Sequence, residues 1–245
     1  MTATSRLPRA MLIDMDDTIL SAYGRPEIAW NKIAAEFSSE LAPLSSREVA
    51  AEILRYARKF WATAEPSWRL KLTEARRYVV RGGFAAFGDS SAPPDELAVL
   101  LADRFTKYRE EEMFVFPGAH EAIDALKAHG VRLAVVTNGA ADTQRAKIER
   151  FELAHRFDHI QIEGEQGFGK PEERAYLHAM AALGVTARET WMVGDNLEWE
   201  VEVPQRLGIY AIWMDVHGEG LPAGSTIKPD RIIHSLDELL PAQSA

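Results

Sequence analysis

The sequence predicts an α/β protein with a doubly wound, parallel, Rossmann-like sheet and an all-helical cap domain inserted after the first strand. Three observations predict it: an early apolar run that ends in carboxylates, a long segment with apolar residues at helical spacing, and a second half in which helical and strand patterns alternate. Such alternation is typical of a parallel sheet covered by helices on both faces. The predicted bounds are 1–20 and 113–245 for the core and 21–112 for the cap domain.

The first strand is expected at residues 10–14, Ala-Met-Leu-Ile-Asp. Side chains that are apolar on both faces suit a central strand of a parallel sheet. The helical segment follows, and Ser45 with Glu48 forms an S-x-x-E capping-box pattern that predicts a helix start. Pro94 is expected to open the last helix of the insert. The insert therefore reads as helical throughout.

The alternating pattern begins after Phe116. Three of the predicted helices stop at a glycine, at Gly130, Gly184 and Gly208, as helices commonly do. A final helix is expected to begin at Ser235 with Glu238 as its capping partner. The predicted strands of this half lie at 133–137, 160–162, 191–193, 210–214 and 231–233.

Composition narrows the class of protein. The 245 residues carry 37 acidic and 28 basic side chains, a formal net charge of −9, and no cysteine. The acidic balance argues against general binding to nucleic acid, and the missing thiols exclude disulfides and thiolate catalysis. No apolar run approaches the roughly 20 residues of a membrane span, and the first residues lack a signal-peptide core. We expect a cytoplasmic monomer or homodimer that binds neither nucleic acid nor membrane.

Polar residues follow several of the predicted strands. Asp14 and Asp16 come after the first strand, Thr137 and Asn138 close a later one, and Asp195 follows another. Ligands bind outside the carboxyl ends of strands in open parallel sheets. Clustered carboxylates repel one another, and oxygen ligands suit Mg²⁺. The sequence therefore predicts a Mg²⁺ site at this edge of the sheet.

Each of these motifs alone is commonly a turn or a solvated loop, and their joint occurrence at several strand ends carries the prediction. Residues 164–170 read G-x-x-x-x-G-K, most of a phosphate-binding P-loop, but Pro171 stands where that loop needs a Ser or Thr hydroxyl. We therefore reject a nucleoside-triphosphatase. His155 and His159 are four residues apart without a third ligand nearby, which is weak support for zinc.

The motifs resemble those of the haloacid dehalogenase-like hydrolase superfamily, in its phosphatase branch with a helical cap. The D-x-D-x-T motif matches residues 14–18, and the Thr that ends a hydrophobic strand matches Thr137. The Lys before Pro matches Lys170. The motif G-D-x-x-x-x-D matches Gly194-Asp195 but then meets Glu200 instead of Asp.

The resemblance implies a Mg²⁺-dependent phosphatase acting on a small phosphorylated metabolite. Asp14 would be the nucleophile, and Asp16 the general acid and then the general base. Lys170, Thr137 and Asn138 would bind the phosphoryl group. Mg²⁺ would be held by Asp14, the main chain of Asp16 and Asp195, with Glu200 as a further candidate ligand.

Two other functions stay open at this point. A sugar-phosphate mutase uses the same core motifs, and a catalytically silent binding protein could keep the fold for partner contacts. Dehalogenation is disfavoured because an acid at position 16 is useful for an alkoxide leaving group and not for a halide.

The insert carries an unusual excess of positive charge. Residues 51–82 hold eight basic and three acidic side chains in a protein that is acidic overall. A solvated helix face explains this as well as a binding surface does. The functional hypothesis is that arginines there contact a second anionic group of the substrate; the candidates are Arg76, Arg77 and Arg81.

Overall fold

The computed structural model of the chain describes residues 7–22 and 24–241. The chain divides into two units: one contains the residues up to Ser21 and those from Phe114 onward, and the other runs from Ala22 to Met113. These bounds differ by one residue from those expected for core and cap. Each unit has its own hydrophobic core.

Six parallel strands form the sheet of the first unit, in the order β5-β4-β1-β6-β7-β8. The prediction of an α/β, Rossmann-like sheet is therefore confirmed. A separate antiparallel pair, β2 with β3, was not predicted. The strands are β1 (Ala10–Ile13), β2 (Leu20–Ser21), β3 (Phe114–Val115), β4 (Arg132–Thr137), β5 (His159–Ile162), β6 (Thr190–Gly194), β7 (Tyr210–Met214) and β8 (Arg231–Ile233).

Strand β1 lies in the middle of the sheet. All four of its side chains are fully buried, and Leu12 aligns with Ala134 of β4 on one side and Met192 of β6 on the other. An apolar strand without alternation is what burial on both faces requires. The central position of β1 places the residue that follows it between the ends of two neighbouring strands.

Helices make up the second unit and pack around the sheet in the first. In the second unit they are α1 (Pro26–Glu36), α2 (Ser38–Leu41), α3 (Ser46–Trp61), α4 (Leu72–Phe84) and α5 (Asp95–Glu111). In the first unit they are α6 (Ala119–Ala128), α7 (Ala141–Arg150), α8 (Glu163–Gln166), α9 (Glu173–Leu183) and α10 (Val203–Arg206), with a π-helix at Leu197–Glu202 before α10.

Two predicted helix starts, at Ser45 and Ser235, are confirmed as N-cap positions, but their capping contacts differ from the predicted ones. Ser45 is the N-cap of α3, but its side chain makes no cap hydrogen bond to any residue that the structure describes. The predicted final helix is a single 3₁₀ turn at Leu236–Leu239, where Glu238 accepts from the backbone N–H of His234 at 2.7 Å. A complete capping box occurs instead at Thr186 and Glu189.

The helical unit packs closely around aromatic side chains. The rings of Trp30 and Phe105 stack with centroids 4.1 Å apart and planes 6° from parallel. Helices α3 and α4 approach at Gly83, where an added Cβ would lie 2.8 Å from the Cα of Ile53. Within residues 7–22 and 24–241, no helix combines the length and apolar character needed to cross a bilayer.

Candidate active site

Three neighbouring strands end at the candidate site. Asp14 directly follows β1, and its N–H donates to the carbonyl of Val193 at 2.9 Å, so its backbone continues the ladder with β6. Thr137 is the last residue of β4, and Asp195 follows β6. Because parallel strands end at the same edge, these residues share one rim of the sheet.

A buried charged triad lies at the centre of this rim. Lys170 Nζ donates to Oδ1 of Asp14 and lies 2.8 Å from Oε1 of Glu200. The Lys170 and Glu200 side chains are each 1% exposed. Burial alone would lower the pKa of Lys170, but attraction to the two carboxylates outweighs it and raises that pKa. Lys170 is therefore held as an ammonium ion between two acids.

The two acids of the triad respond to burial in the opposite sense. Burial raises the pKa of Asp14, with the charge of Asp16 adding to the rise and Lys170 opposing it. Burial also raises the pKa of Glu200 to about 7, against the attraction of Lys170. The second oxygen of Glu200 accepts from the N–H of Asn196 at 2.8 Å. Only Oε2 of Glu200 thus accepts a hydrogen bond of good geometry among the described residues, while the buried Oε1 has the ion-pair contact with Lys170 alone.

Asn138 holds the backbone of Lys170 in place. Its side-chain Nδ2 donates to the Lys170 carbonyl at 2.6 Å, and its Oδ1 accepts from the Lys170 N–H at 2.9 Å. The preceding Gly169 has no room for a side chain, since an added Cβ would lie 2.6 Å from Oδ1 of Asn138. Asn138, predicted to help through its main chain, thus also fixes the loop that carries Lys170.

Asp16 contacts two residues that the sequence did not single out. Lys147 Nζ lies 2.8 Å and 2.7 Å from the two carboxylate oxygens of Asp16. Gln144 Nε2 donates to Oδ2 of Asp16 at 3.0 Å and to Oγ1 of Thr137 at 2.6 Å. The only sequence signal is their spacing with Ile148, which places all three on one face of α7.

Asp195 lies at the rim and is exposed. Loss of hydration and repulsion from Glu200, Asp14 and Asp17 raise its pKa well above the usual value. Its carbonyl accepts from the indole N–H of Trp213 at 2.6 Å, which anchors the turn after β6.

The donor groups of this rim fit a hard divalent cation. Among the described residues, no three His, Cys, Asp or Glu side chains are grouped as ligands. The ligand set that the resemblance implies needs only two carboxylates, Asp14 and Asp195, and one main-chain carbonyl. Burial raises the pKa of both carboxylates and repulsion from neighbouring acids adds to it, and a bound cation would offset both effects.

The structure separates the three predicted cap arginines. Arg77 pairs with Asp103 at 2.7 Å and Arg81 pairs with Asp95, both at the surface of the helical unit. Arg76 is half-buried, donates to Oγ1 of Thr106 at 3.0 Å, and lines a cavity of about 380 Å³. The other lining side chains are mostly apolar or basic and include Trp30, Leu54, Arg58, Val79, Phe105 and Arg109.

Fold and site together define an α/β protein with a carboxylate-centred site at the ends of three parallel strands. The chain belongs to the haloacid dehalogenase-like hydrolases, whose family model matches residues 8–208. This confirms the family that the motifs resembled.

Two curated relatives differ in how much of the chain they match. The phosphoserine phosphatase of Thermus thermophilus is 36% identical over 151 residues, which cover 61% of this chain and 59% of that protein. The ribulose-1,5-bisphosphate 5-phosphatase of Halopiger xanaduensis is 28% identical over 236 residues, or 94% of this chain and 95% of that protein.

A solved structure shows the same fold across nearly the whole chain. The HAD-hydrolase YfnB of Bacillus subtilis, bound to magnesium, superposes on this chain with a TM-score of 0.66. The match covers 96% of this chain and 97% of the YfnB chain. Its sequence identity is 24%, so this likeness concerns the fold.

Proposed function

We propose that the protein is a Mg²⁺-dependent phosphatase that hydrolyses a small phosphorylated metabolite through an aspartyl-phosphate at Asp14. The buried contact between Asp14 and Lys170 carries the proposal, because it fixes a carboxylate at the end of the central strand. Membership of the hydrolase family and the phosphatase names of the two curated relatives support it.

The reaction divides into two displacements. An oxygen of Asp14 bonds to phosphorus while the ester P–O bond breaks, and Asp16 gives its proton to the leaving alkoxide. Asp16 then takes a proton from water as the water oxygen bonds to phosphorus and the bond between phosphorus and the Asp14 oxygen breaks, which releases inorganic phosphate and restores Asp14. Asp16 loses a proton in the first displacement and gains one in the second, so it ends in its starting protonation state.

The remaining polar groups bind the phosphoryl oxygens. Thr137 and the main chain at Asn138 donate hydrogen bonds, and Lys170 supplies positive charge. Mg²⁺, when held by Asp14, Asp195 and the main chain of Asp16, would offset the repulsion between carboxylate and phosphate. Glu200 would act by holding Lys170, and its buried Oε1, which accepts no hydrogen bond from the described residues, keeps Glu200 a candidate ligand of the cation.

The experiment is phosphate release from p-nitrophenyl phosphate with and without Mg²⁺, beside an Asp14→Asn variant. We expect release that requires both Mg²⁺ and Asp14. If folded protein with Mg²⁺ releases no phosphate from this ester or from a broad panel, the proposal is wrong, and a mutase or a silent binding protein becomes the better reading. The cytoplasmic location and the monomer or homodimer stay predictions.

We also propose that the substrate carries a second anionic group, bound in the cavity of the helical unit. Three lining arginines, Arg58, Arg76 and Arg109, outnumber the single lining carboxylate, Glu27. The names of the two relatives support this, since phosphoserine and ribulose 1,5-bisphosphate both carry a further anion. Arg77 and Arg81 make exposed ion pairs with Asp103 and Asp95 and do not line this cavity, so Arg76 is the first of the three candidates to test.

Arg76→Met tests this second proposal. We expect the KM for such a doubly anionic ester to rise about tenfold, the loss of one charged contact, while the KM for p-nitrophenyl phosphate stays within twofold. Arg55→Met is the control, because Arg55 makes an exposed ion pair with Glu52 on the same unit. An equal rise in KM for both esters would show that Arg76 does not bind a second anionic group.

A further inference from the structure

Helix α7 buries two polar side chains on the face that packs into the protein. Gln144 is 1% exposed and Lys147 is 9% exposed, next to the buried Ile148. Removing an ammonium group from water is costly unless its partners are well placed. A fold that needed only packing here would gain more from apolar residues at these positions. Gln144 and Lys147 are therefore better explained by the polar groups that they contact than by packing.

The partners are the two functional hydroxyl and carboxyl groups that flank the site. Lys147 contacts both oxygens of Asp16, and the amide of Gln144 reaches Asp16 and Thr137 at once. The backbone around Asp16 is also constrained, since Asp17 has φ of +57° and its N–H donates to the carbonyl of Leu20 at 2.6 Å. Asp16 is thus held at both its backbone and its carboxylate.

We propose that Gln144 and Lys147 are positioning residues that hold the carboxyl group of Asp16 in the direction in which it, when protonated, gives its proton to the leaving group. This inference rests on the proposed phosphatase function and names residues that the family motifs do not include. Neither residue touches the reacting atoms; both act through Asp16, and Gln144 also fixes the Thr137 hydroxyl.

A misplaced general acid leaves a distinctive kinetic signature. An alkoxide is a poor leaving group and needs its proton as the P–O bond breaks, whereas p-nitrophenolate leaves without one. Loss of position at Asp16 should therefore slow cleavage of an alkyl ester much more than cleavage of an aryl ester. General damage to the fold would slow both alike.

The test compares p-nitrobenzyl phosphate with p-nitrophenyl phosphate in single-turnover release of the leaving group, with Mg²⁺ present. Single turnover isolates the first displacement from the water step, in which Asp16 also acts. We expect Lys147→Met to slow release from the benzyl ester about 10- to 100-fold, within the range of general acid catalysis. Release from the phenyl ester should slow less than about threefold.

Further variants separate position from structure. Lys147→Arg keeps the charge and should restore most of the benzyl-ester rate. Gln144→Met, which keeps length but removes the donor, serves if Lys147→Met fails to fold; it should slow both esters because Gln144 also holds Thr137, and the benzyl ester about tenfold more than the phenyl ester. Arg145→Met is the control on the same helix, since Arg145 makes an exposed ion pair with Glu165, and it should leave both rates unchanged.

The outcomes distinguish this inference from the proposed function. Wild-type protein that releases neither leaving group overturns the proposed function, and this inference with it. Active wild-type protein with equal loss on both esters, or with no loss, overturns the positioning role alone. Selective loss with the alkyl ester, restored by arginine, supports it.

Discussion

Glu200 and Lys170 form an ion pair at 2.8 Å in which both side chains are 99% removed from solvent. Such a pair is costly to break on one side, because the partner is left as an uncompensated buried charge. Lys170 also donates to Asp14, the candidate nucleophile. The same ammonium group therefore stabilises the folded protein and holds the Asp14 carboxylate in place.

Replacing Glu200 should therefore destabilise the protein measurably. We expect Glu200→Gln to lower the free energy of unfolding by about 3 kcal/mol, at the low end for a broken buried pair because Lys170 keeps its contact with Asp14 and the amide keeps the side chain's shape. Urea denaturation measures this. Glu202→Gln is the control, since Glu202 makes only a long, exposed pair with Arg206. Equal stability of the two variants would mean that the buried pair contributes nothing.

Mg²⁺ should stabilise the folded protein through Asp195, apart from any effect on turnover. A ligand present at 100 times its dissociation constant and bound only by the native state adds about 2.7 kcal/mol. We expect Mg²⁺ to raise the melting temperature of the wild type and of the surface variant Asp237→Asn, but not of Asp195→Asn. A shift in Asp195→Asn equal to that of the wild type would place the cation elsewhere.

Stability should also depend on His159 at mildly acidic pH. Burial and the neighbouring His178 lower the pKa of His159 below its usual value of 6.5. Below pH 6.5 the unfolded chain binds a proton that the folded protein resists, so stability falls as the pH is lowered. The urea midpoint should drop less between pH 7.5 and 5.5 in His159→Leu than in the wild type or in the exposed-site control His155→Gln. Parallel drops in all three would contradict this.

The helical unit should be sensitive to a single methyl group at Gly83. An added Cβ would meet the backbone of Ile53, which cannot rotate away as a side chain could. We expect Gly83→Ala to cost about 1–3 kcal/mol, whereas Thr73→Ala, at an exposed position of the same helix, should cost much less. Thermal unfolding of both variants, followed by circular dichroism, provides the measurement. Unchanged melting of Gly83→Ala would show that α3 and α4 can separate without cost.

The strand ends of the candidate site could be predicted because their signals are local. An apolar run followed by Asp14 predicts a buried strand. The carboxyl ends of neighbouring parallel strands lie at the same edge of the sheet, so the residues that follow them are expected near one another. The contacts of Asp16 with Gln144 and Lys147 could not be predicted in this way. They join residues 128 and 131 positions apart, and polar residues on a helix ordinarily face water.

Two other features escaped sequence reasoning for different physical reasons. Strands β2 and β3 have two residues each, too short to show an alternating pattern. Arg76 and Arg77 are adjacent, and successive residues of a helix point about 100° apart. Only packing decides which of them lines the cavity and which pairs with Asp103.

The pairing of β2 with β3 has a consequence for how this chain could diversify. Leu20 aligns with Val115 and Ser21 with Phe114, so the two points where the insert leaves and rejoins the first unit lie roughly 5 Å apart. A replacement segment of any length has to satisfy only that one end-to-end distance, and the entropy of closing a loop grows slowly with its length. The β2–β3 pair is thus a position at which recombination or design can exchange the whole helical unit. The turn at residues 14–18, which carries Asp14 and Asp16, keeps its own strand and register in such an exchange.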